Sequence, residues 1–243
     1  MSDKNNKKIF EAEICEVCQL KKTKKILMVV TQADHFEDIQ HTKTGLWLEE
    51  FAVPYLAFTE NGYEVTTATP SGGKTPLDPE SENLSEDIKW HKAKEALGDT
   101  QSLDTIDFIS YDALVLPGGH GPMFDLYKDE TLGQIINDFE ERKKLIAAVC
   151  HGPAGLLSAK KNGIPFVNGK KLTCFTNEEE YYYKKENLTP FFLEDALKDA
   201  GAEFVKKGAG EINIIEDDNL ITGQNFQSSK AFANAVINYL NRC

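Results

Sequence analysis

The chain has too few basic residues for a protein that binds nucleic acid. Its 243 residues include 39 Asp and Glu against 27 Lys and Arg, giving a net charge of −12 at pH 7, whereas nucleic-acid recognition needs a clustered basic surface. No apolar run approaches the ~20 residues of a membrane-spanning helix, and the N-terminal stretch has no apolar core of a secretory signal. These absences predict a cytoplasmic protein without nucleic-acid or membrane partners.

Cysteine is also scarce. Five cysteines, an odd number, do not suit a disulfide scaffold and fit a reducing compartment. Cys15 and Cys18 form a C-x-x-C pair within a polar N-terminal extension over residues 1–24, but no second pair of ligands lies nearby to complete a zinc site. The pair also precedes the first predicted strand, unlike a thioredoxin motif. We therefore predict no metal and no cofactor, and interpret this pair as incidental.

What the chain does contain is a succession of strands and helices. Pro54 lies inside the first helical run, so a kink or a break is expected there. The alternation predicts one α/β domain over residues 25–243, with a mostly parallel central sheet and helices on both faces. The apolar periodicity predicts strands at 25–31, 63–69, 113–116, 145–149, 171–176, 213–215 and 220–222, and helices from 44 to the Asn61-Gly62 stop and at 130–143, 152–160, 192–200 and 228–240.

Residues 70–107 form a long insertion between two core elements. The segment is rich in Pro, Gly, Ser and acidic residues at first and becomes amphipathic later. Loops of this length usually act as lids or interface arms. Because the insertion must cover something, a homodimer is plausible, and a monomer is the alternative.

Cys150 lies where a predicted buried strand meets a predicted helix. Ala148 two residues before it and Gly152 two residues after it leave room for the tight turn of a nucleophile elbow. A helix N-terminus at this point would stabilise a thiolate, and ligands of open α/β sheets bind beyond the carboxyl ends of the strands. Together with the adjacent His151, this setting favours a reactive nucleophile over a packed cysteine.

The stretch PGGHG, residues 117–121, follows another predicted strand. Its glycines would let backbone N–H groups approach a substrate closely. It is not a phosphate loop, because it lacks G-K-[ST] and no G-x-G-x-x-G opens a helix. A plain tight turn is the alternative, but an oxyanion hole with the Gly119 and His151 N–H groups as donors fits better beside Cys150.

A carboxylate should orient the imidazole or hold a proton near the thiol. Glu49 and Glu50 lie among apolar residues of the first helix, where a buried Glu must be protonated or paired. The acidic run at 178–180 follows the predicted fifth strand, and such a run is often a solvated loop. These residues alone leave the choice between the two regions open.

Five stretches together resemble the ThiJ/PfpI superfamily, and most of all its branch of small glyoxalase III proteins, which are also described as stress-inducible chaperones. The stretches are TGLWLEE, PGGHGPMFDL, AAVCHGP, CFTNEEE and ITGQNFQSS. The likeness extends over about residues 25–240. It implies a flavodoxin-like sandwich with a nucleophile elbow and a Cys-His-Glu triad.

The resemblance also implies roles for individual residues. Cys150 matches the nucleophile and His151 its partner. The third member is the acid after F-T-N, which by spacing is Glu180, although the acidic run leaves Glu179 open. Glu50 matches a buried glutamate that hydrogen-bonds the nucleophilic sulfur.

The substrate pocket is expected around the PGGHG loop. Gly118 and Gly119 match the part of that loop that carries the oxyanion donor, and His120 matches a pocket histidine. Trp47 and Phe124, together with Met123, are candidates for the pocket walls. The chain departs from its relatives at Cys174, where glycine is common, so the packing beside the triad could differ.

The function implied by the resemblance is the cofactor-independent conversion of methylglyoxal, a small 2-oxoaldehyde, to lactate. A cysteine peptidase, an amidase or a protein deglycase with the same triad is an alternative, and so is a holdase chaperone or a redox sensor. A class I glutamine amidotransferase is excluded in its usual chain order, because that triad needs a histidine well after the cysteine and none follows His151.

Overall fold

A computed structural model of the chain describes residues 23–83 and 90–242. The Cys15/Cys18 pair and nearly all of the 1–24 extension lie outside the described residues. The strands are β1 Lys25–Val29, β2 Glu64–Thr69, β3 Gln101–Ser102, β4 Ala113–Leu116, β5 Leu145–Val149, β6 Lys160–Lys161, β7 Ile164–Pro165, β8 Lys171–Leu172, β9 Glu203–Phe204, β10 Ile214–Asp217 and β11 Leu220–Gly223. The α-helices are α1 Leu48–Glu60, α2 Pro79–Asn83, α3 His91–Ala96, α4 Glu130–Glu141, α5 Asn177–Tyr182, α6 Leu193–Asp199 and α7 Ser229–Arg242.

Seven strands form the central sheet in the order β10-β11-β5-β4-β1-β2-β3. All neighbours are parallel except β10, which pairs antiparallel with β11. The central strands β4 and β5 are apolar and buried throughout, as expected for parallel strands covered on both sides. The predicted flavodoxin-like α/β sandwich is confirmed.

Alternate residues of each strand pack into two separate apolar cores. Leu27, Leu114 and Ile146 face the core beneath α4, and their neighbours in the strands face the core beneath α1 and α7. This alternation is the period of two that a strand imposes. Among the described residues no helix is long and apolar enough to cross a membrane.

Several predicted elements have other limits in the structure. The expected strand over 171–176 is only Lys171–Leu172 and pairs with β9 outside the central sheet. It ends there because the next residue, Thr173, donates its N–H to the side-chain hydroxyl of Thr222 instead of to a backbone carbonyl of a neighbouring strand. The predicted helix at 152–160 is a 3-10 helix over Gly152–Ser158. Pro54 does not break α1, which continues to Glu60 and packs along α7.

The predicted insertion is attached to core elements of the fold at two places. Its end supplies β3, which extends the central sheet beside β2. Its first part is held beside the start of α1, since the Leu48 N–H donates to the Ser81 hydroxyl at 3.0 Å. The boundaries of a single domain over 25–243 stay a prediction.

Candidate active site

The turn after β5 carries Cys150 in a left-handed backbone conformation with φ of 59°. Such a conformation costs a non-glycine residue about 1 kcal/mol or more, and the surroundings hold it in place. The Cys150 N–H donates to the Gly223 carbonyl and its carbonyl accepts from the Phe175 N–H, both at 2.9 Å. A Cβ at Gly152 would lie 3.1 Å from the Pro117 oxygen and closer still to the Leu116 carbonyl. The backbone is thus the sharp elbow that the small flanking residues predict.

Cys150, His151 and Glu180 form a hydrogen-bonded chain. The Cys150 sulfur lies 3.3 Å from Nδ1 of His151, and Nε2 of His151 lies 2.6 Å from Oε1 of Glu180. A carboxylate can only accept, so the Nε2 nitrogen carries the proton and Nδ1 offers its lone pair to the thiol. This is the tautomer that a base for Cys150 requires.

The short helix α5 determines which glutamate reaches the imidazole. Thr176 caps this helix in a capping box with Glu179, whose carboxylate is also bonded by the Asn225 amide at 2.7 Å. Glu179 is thereby used in the cap and in a buried polar network, and the next residue, Glu180, points to His151. The geometry thus places Glu180, and not Glu179, beside the imidazole.

His120 contacts the same carboxylate from the PGGHG loop. Its Nε2 lies 3.1 Å from Oε2 of Glu180, and its ring centroid lies 4.0 Å from that of His151. Gly119 has φ of 84°, and a Cβ there would collide with the backbone of Gly45. Glycine at this position therefore lets the loop pack closely enough for His120 to reach Glu180.

Glu50 lies on α1 and is completely buried. Its Oε2 accepts the Gly118 N–H at 2.8 Å, and its carboxyl also interacts with the Cys150 thiol. Burial raises the pKa of Glu50 to about 8, against the opposing effect of its hydrogen bonds to Cys150 and Gly118. The carboxyl is therefore largely protonated at pH 7 and can donate a hydrogen bond toward the sulfur.

The electrostatics of the site differ from the expected resting thiolate. Burial, followed by the charge of Glu50, raises the pKa of the Cys150 thiol well above its usual range, and the elbow leads into a 3-10 turn instead of an α-helix whose dipole could oppose this. Burial, followed by repulsion from His120, lowers the pKa of His151 to about 4. The thiol and the imidazole are both neutral before substrate binds.

Glu180 is the permanent anion of the group. Burial opposes its charge, but the attraction of His151 and then of His120, with the hydrogen bonds to both rings, outweighs burial and lowers the pKa of Glu180. The Gly119 N–H also reaches the Cys150 sulfur and favours its ionised form. This placement suits Gly119 for the predicted role of oxyanion donor.

An open cavity of about 380 Å³ leads to Cys150. One side of the cavity is aromatic, with the Trp47 and Phe226 rings stacked at 4.9 Å and Tyr183 5.8 Å from Phe226. The other residues that line it are Asp78, Glu80, Gly119, His120, Cys150, His151, Phe175 and Lys185. A small, partly apolar chamber of this kind fits a small organic substrate.

Phe124 is not where the sequence predicts it. It is buried in the core beneath α4 and packs edge-on against Phe36 with ring centroids 5.8 Å apart, because the chain turns away from the cavity after His120 into a 3-10 turn over Gly121–Met123. Met123 is buried in the same core. The predicted wall residue Trp47, in contrast, does line the cavity.

Sequence reasoning missed six residues of the cavity wall. Phe175 and Phe226 lie inside the stretches CFTNEEE and ITGQNFQSS, so a signal for them existed. The remaining four, which carry no motif, are Asp78, Glu80, Tyr183 and Lys185. Glu80 and Lys185 form an ion pair of 2.7 Å across the rim, which joins the insertion to the segment after α5.

The same cluster contains the donor atoms of a metal site. Single ligand atoms of His120, His151 and Glu180 all lie within 4.8 Å of one another, and all three residues are buried. Two imidazoles and a carboxylate are a donor set that Zn²⁺ accepts.

A cysteine at a strand-to-turn elbow, with a histidine and a glutamate at the carboxyl edge of a parallel sheet, defines an α/β protein with a nucleophile elbow. The chain belongs to the DJ-1/PfpI family, whose model matches residues 24–239. The resemblance found in the sequence is thereby confirmed.

Several relatives carry names that describe an activity. "Glutathione-independent glyoxalase hsp3101" of Schizosaccharomyces pombe is 30% identical over 214 residues, which cover 80% of this chain and 86% of that protein. "Glyoxalase 3" of Candida albicans is 27% identical and covers 88% of this chain and 97% of its own length.

Solved structures give the same assignment of fold. The rapid encystment protein REP24 of Francisella tularensis superposes with a TM-score of 0.85 at 32% identity, covering 90% of this chain and 99% of that one. Glyoxalase III from Candida albicans superposes with a TM-score of 0.77 at 27% identity, covering 88% and 96%.

Proposed function

We propose that the protein is a glutathione-independent glyoxalase of the glyoxalase III type, which converts methylglyoxal and water to lactate. The observation that carries the proposal is the chain from Cys150 through His151 to Glu180 at the base of a small cavity. The names of relatives from two yeasts support the choice of substrate.

The first step is the addition of sulfur to the aldehyde carbon. Nδ1 of His151, 3.3 Å from the thiol, takes the thiol proton while the C–S bond forms, so that no free thiolate has to persist in a buried site. His151 then returns this proton to the aldehyde oxygen, which becomes the hydroxyl of a hemithioacetal, and the imidazole is again free to act as a base. The Gly119 N–H and the protonated Glu50 carboxyl lie beside the sulfur and stabilise the negative charge that develops on that oxygen.

A proton transfer within the adduct then oxidises the former aldehyde carbon and reduces the neighbouring ketone carbon. His151 removes the proton from the former aldehyde carbon, giving an enediolate, and returns it to the neighbouring carbon, while the hydroxyl proton of the hemithioacetal passes to the former ketone oxygen. The product is a thioester of lactate on Cys150, which water hydrolyses to lactate and the free thiol. No oxidant or reductant is consumed, and Glu180 holds the imidazole in one orientation through the cycle, at 2.6 Å.

The test is the production of lactate by purified protein without added thiol. Cys150→Ala should remove the activity, because nothing else in the cavity supplies the sulfur that forms the thioester. Cys174→Ala is the matched control, since Cys174 is also a buried free cysteine but bonds the Phe175 carbonyl and does not line the cavity. Lactate formation by Cys150→Ala at the rate of the unmodified protein would end the proposal.

A deglycase is the second candidate. "Protein/nucleic acid deglycase 2" of Escherichia coli is 28% identical, covering 90% of this chain and 98% of that protein, and its name describes deglycation of proteins and nucleic acids. If lactate release from a preformed methylglyoxal–thiol adduct exceeds the rate allowed by the free methylglyoxal in equilibrium with it, the adduct is the substrate. The small cavity favours the free aldehyde and disfavours the peptidase alternative.

The cytoplasmic location and the homodimer belong to the proposal as well. The absence of a membrane-spanning helix among the described residues agrees with the first. Light scattering of the purified chain tests the second, and a mass near 27.2 kDa would contradict it.

A further inference from the structure

We propose that His120, His151 and Glu180 form an inhibitory binding site for a divalent transition metal, for which Zn²⁺ is the best fit. The metal would occupy the edge of the His151 ring that faces away from the sulfur of Cys150. The inhibition rests on the proposed glyoxalase function, whereas the binding site does not.

The distances between the donor atoms suit a four-coordinate ion. Bonds of about 2.1 Å to nitrogen and oxygen place the donors of a tetrahedral zinc site roughly 3.4 Å apart. Here Nε2 of His151 and Nε2 of His120 lie 2.6 and 3.1 Å from the two oxygens of Glu180, and the ligand atoms all lie within 4.8 Å of one another. The metal would replace the protons shared between the rings and the carboxylate, and the donor atoms would move slightly apart to reach the spacing of a zinc site.

The three side chains are held in place by separate elements. Glu180 is fixed by the capped start of α5. His120 packs on Phe36 at 5.2 Å between ring centroids, and His151 packs on Phe175 at 4.7 Å. Because the ligands are ordered before the metal arrives, little conformational entropy is lost on binding.

Charge and access also favour a cation. The ionised carboxylate of Glu180 places a negative charge between the two rings. Glu179 acts on His151 in the same direction, since its charge favours a cation at this imidazole. His120 and His151 both line the open cavity, so the ion can enter by the route of the substrate, and water from the cavity can supply the fourth ligand.

The sulfur of Cys150 is excluded from the ligand set by the geometry of the ring. It contacts Nδ1 of His151 at 3.3 Å, whereas the metal is bound through Nε2. A neutral imidazole bound to metal at Nε2 must carry its proton on Nδ1. Nδ1 then cannot accept the thiol proton, so the metal blocks the base and leaves the thiol unligated.

The experiment measures binding and inhibition separately. The protein is first treated with chelator. All variants are made in a Cys15→Ser/Cys18→Ser background, so that the N-terminal C-x-x-C pair cannot bind the metal. Calorimetry with Zn²⁺ should give one site per chain, and Co²⁺ should give a visible spectrum without a sulfur-to-metal charge-transfer band. Lactate formation should fall as the site fills and return when chelator is added.

Variants decide which residues bind. His120→Asn should weaken Zn²⁺ binding at least about tenfold, as expected for the loss of a ligand, and Glu180→Gln gives a second test should the first variant fold poorly. Cys150→Ala should keep the affinity within about threefold, a change of under 1 kcal/mol. His35→Ala/His41→Ala is the matched control, because these two rings also lie close together, 5.2 Å apart, but on an exposed loop.

Three results would overturn the proposal. The first is loss of Zn²⁺ binding in Cys150→Ala with retention in His120→Asn, which would make the thiol the ligand. The second is that His35→Ala/His41→Ala removes all Zn²⁺ binding, which would show that the ion binds to the exposed loop and not to the buried site. The third is full occupancy without loss of lactate formation. A protein that binds Zn²⁺ as described but makes no lactate from methylglyoxal would refute the proposed function and leave the site intact.

Discussion

Replacing Glu50 with glutamine should make the protein less sensitive to alkaline pH. Glu50 is fully buried, and burial raises its pKa from 4.5 to about 8. The folded state therefore binds a proton that the unfolded state releases. The contribution is fully favourable below pH 4.5 and is lost progressively as the pH rises through 8, because the unfolded chain ionises freely and the folded chain does not.

The pKa values give the size of the effect. Between pH 6 and pH 9 the free energy of unfolding should fall by about 2 to 3 kcal/mol through this one group, from the linkage of the two pKa values at 1.36 kcal/mol per unit. Glutamine has the shape of the protonated acid. Its oxygen can accept the Gly118 N–H that now bonds Oε2 at 2.8 Å, and its NH₂ group can donate toward Cys150. Glu50→Gln should fold with the stability of the protonated form at every pH.

Urea denaturation at several pH values from 6 to 9 measures this difference directly. The gap between Glu50→Gln and the unmodified protein should widen as the pH rises. Glu60→Gln is the matched control, because Glu60 is the exposed last residue of the same helix. A gap of constant size from pH 6 to pH 9 would show that Glu50 does not titrate in this range, and the assignment of a protonated carboxyl beside the sulfur would then be wrong.

Three further predictions concern the site and its support. Glu180→Gln should lower kcat for lactate formation by about 100-fold or more. Glu179→Gln should leave kcat within about threefold but lower the free energy of unfolding in urea by about 1 to 2 kcal/mol. Equal losses of kcat in the two variants would contradict the assignment of Glu180 as the triad acid. Phe226→Leu should raise KM, while Phe124→Leu should leave KM unchanged and destabilise the core by about 1 kcal/mol, and the reverse pattern would place Phe124 at the substrate. Gly152→Ala should destabilise the protein by about 1 to 3 kcal/mol through the contact of its Cβ with the Leu116 carbonyl, so an unchanged urea midpoint would count against the elbow.

The sequence predicts the sheet well because parallel strands that are buried on both faces leave continuous apolar runs. The runs at 113–116 and 145–149 match β4 and β5 residue for residue. The stretch at 171–176, KLTCFT, is only partly apolar, and only its first two residues pair as a strand. Further along, the Thr173 N–H bonds the Thr222 side chain and the Phe175 N–H bonds the elbow, and no local propensity records partners so distant in the chain.

The site was predictable where chemistry depends on local backbone shape. The elbow at Cys150 needs a small residue on either side, and those residues are visible in the sequence. The charge of the sulfur was not predictable, because burial and the neighbouring Glu50 depend on packing between β5 and α1. Phe124 and Phe226 are equally apolar, and only the direction of the chain after Gly121 and after Asn225 decides which of them faces the cavity.

Three of the ionisable groups that share this buried space are uncharged in the resting site. Cys150, His151 and Glu50 would each cost several kcal/mol as isolated buried charges, and the pKa shifts keep all three uncharged at pH 7. Glu180 beside them is ionised, and two imidazoles hydrogen-bond it. Charge then develops only when the aldehyde accepts the sulfur, at which point the proton moves to an imidazole that already faces an anion. The step does not need a free thiolate, since the imidazolium formed in it is stabilised by Glu180 and the new oxyanion by the donors around Gly119.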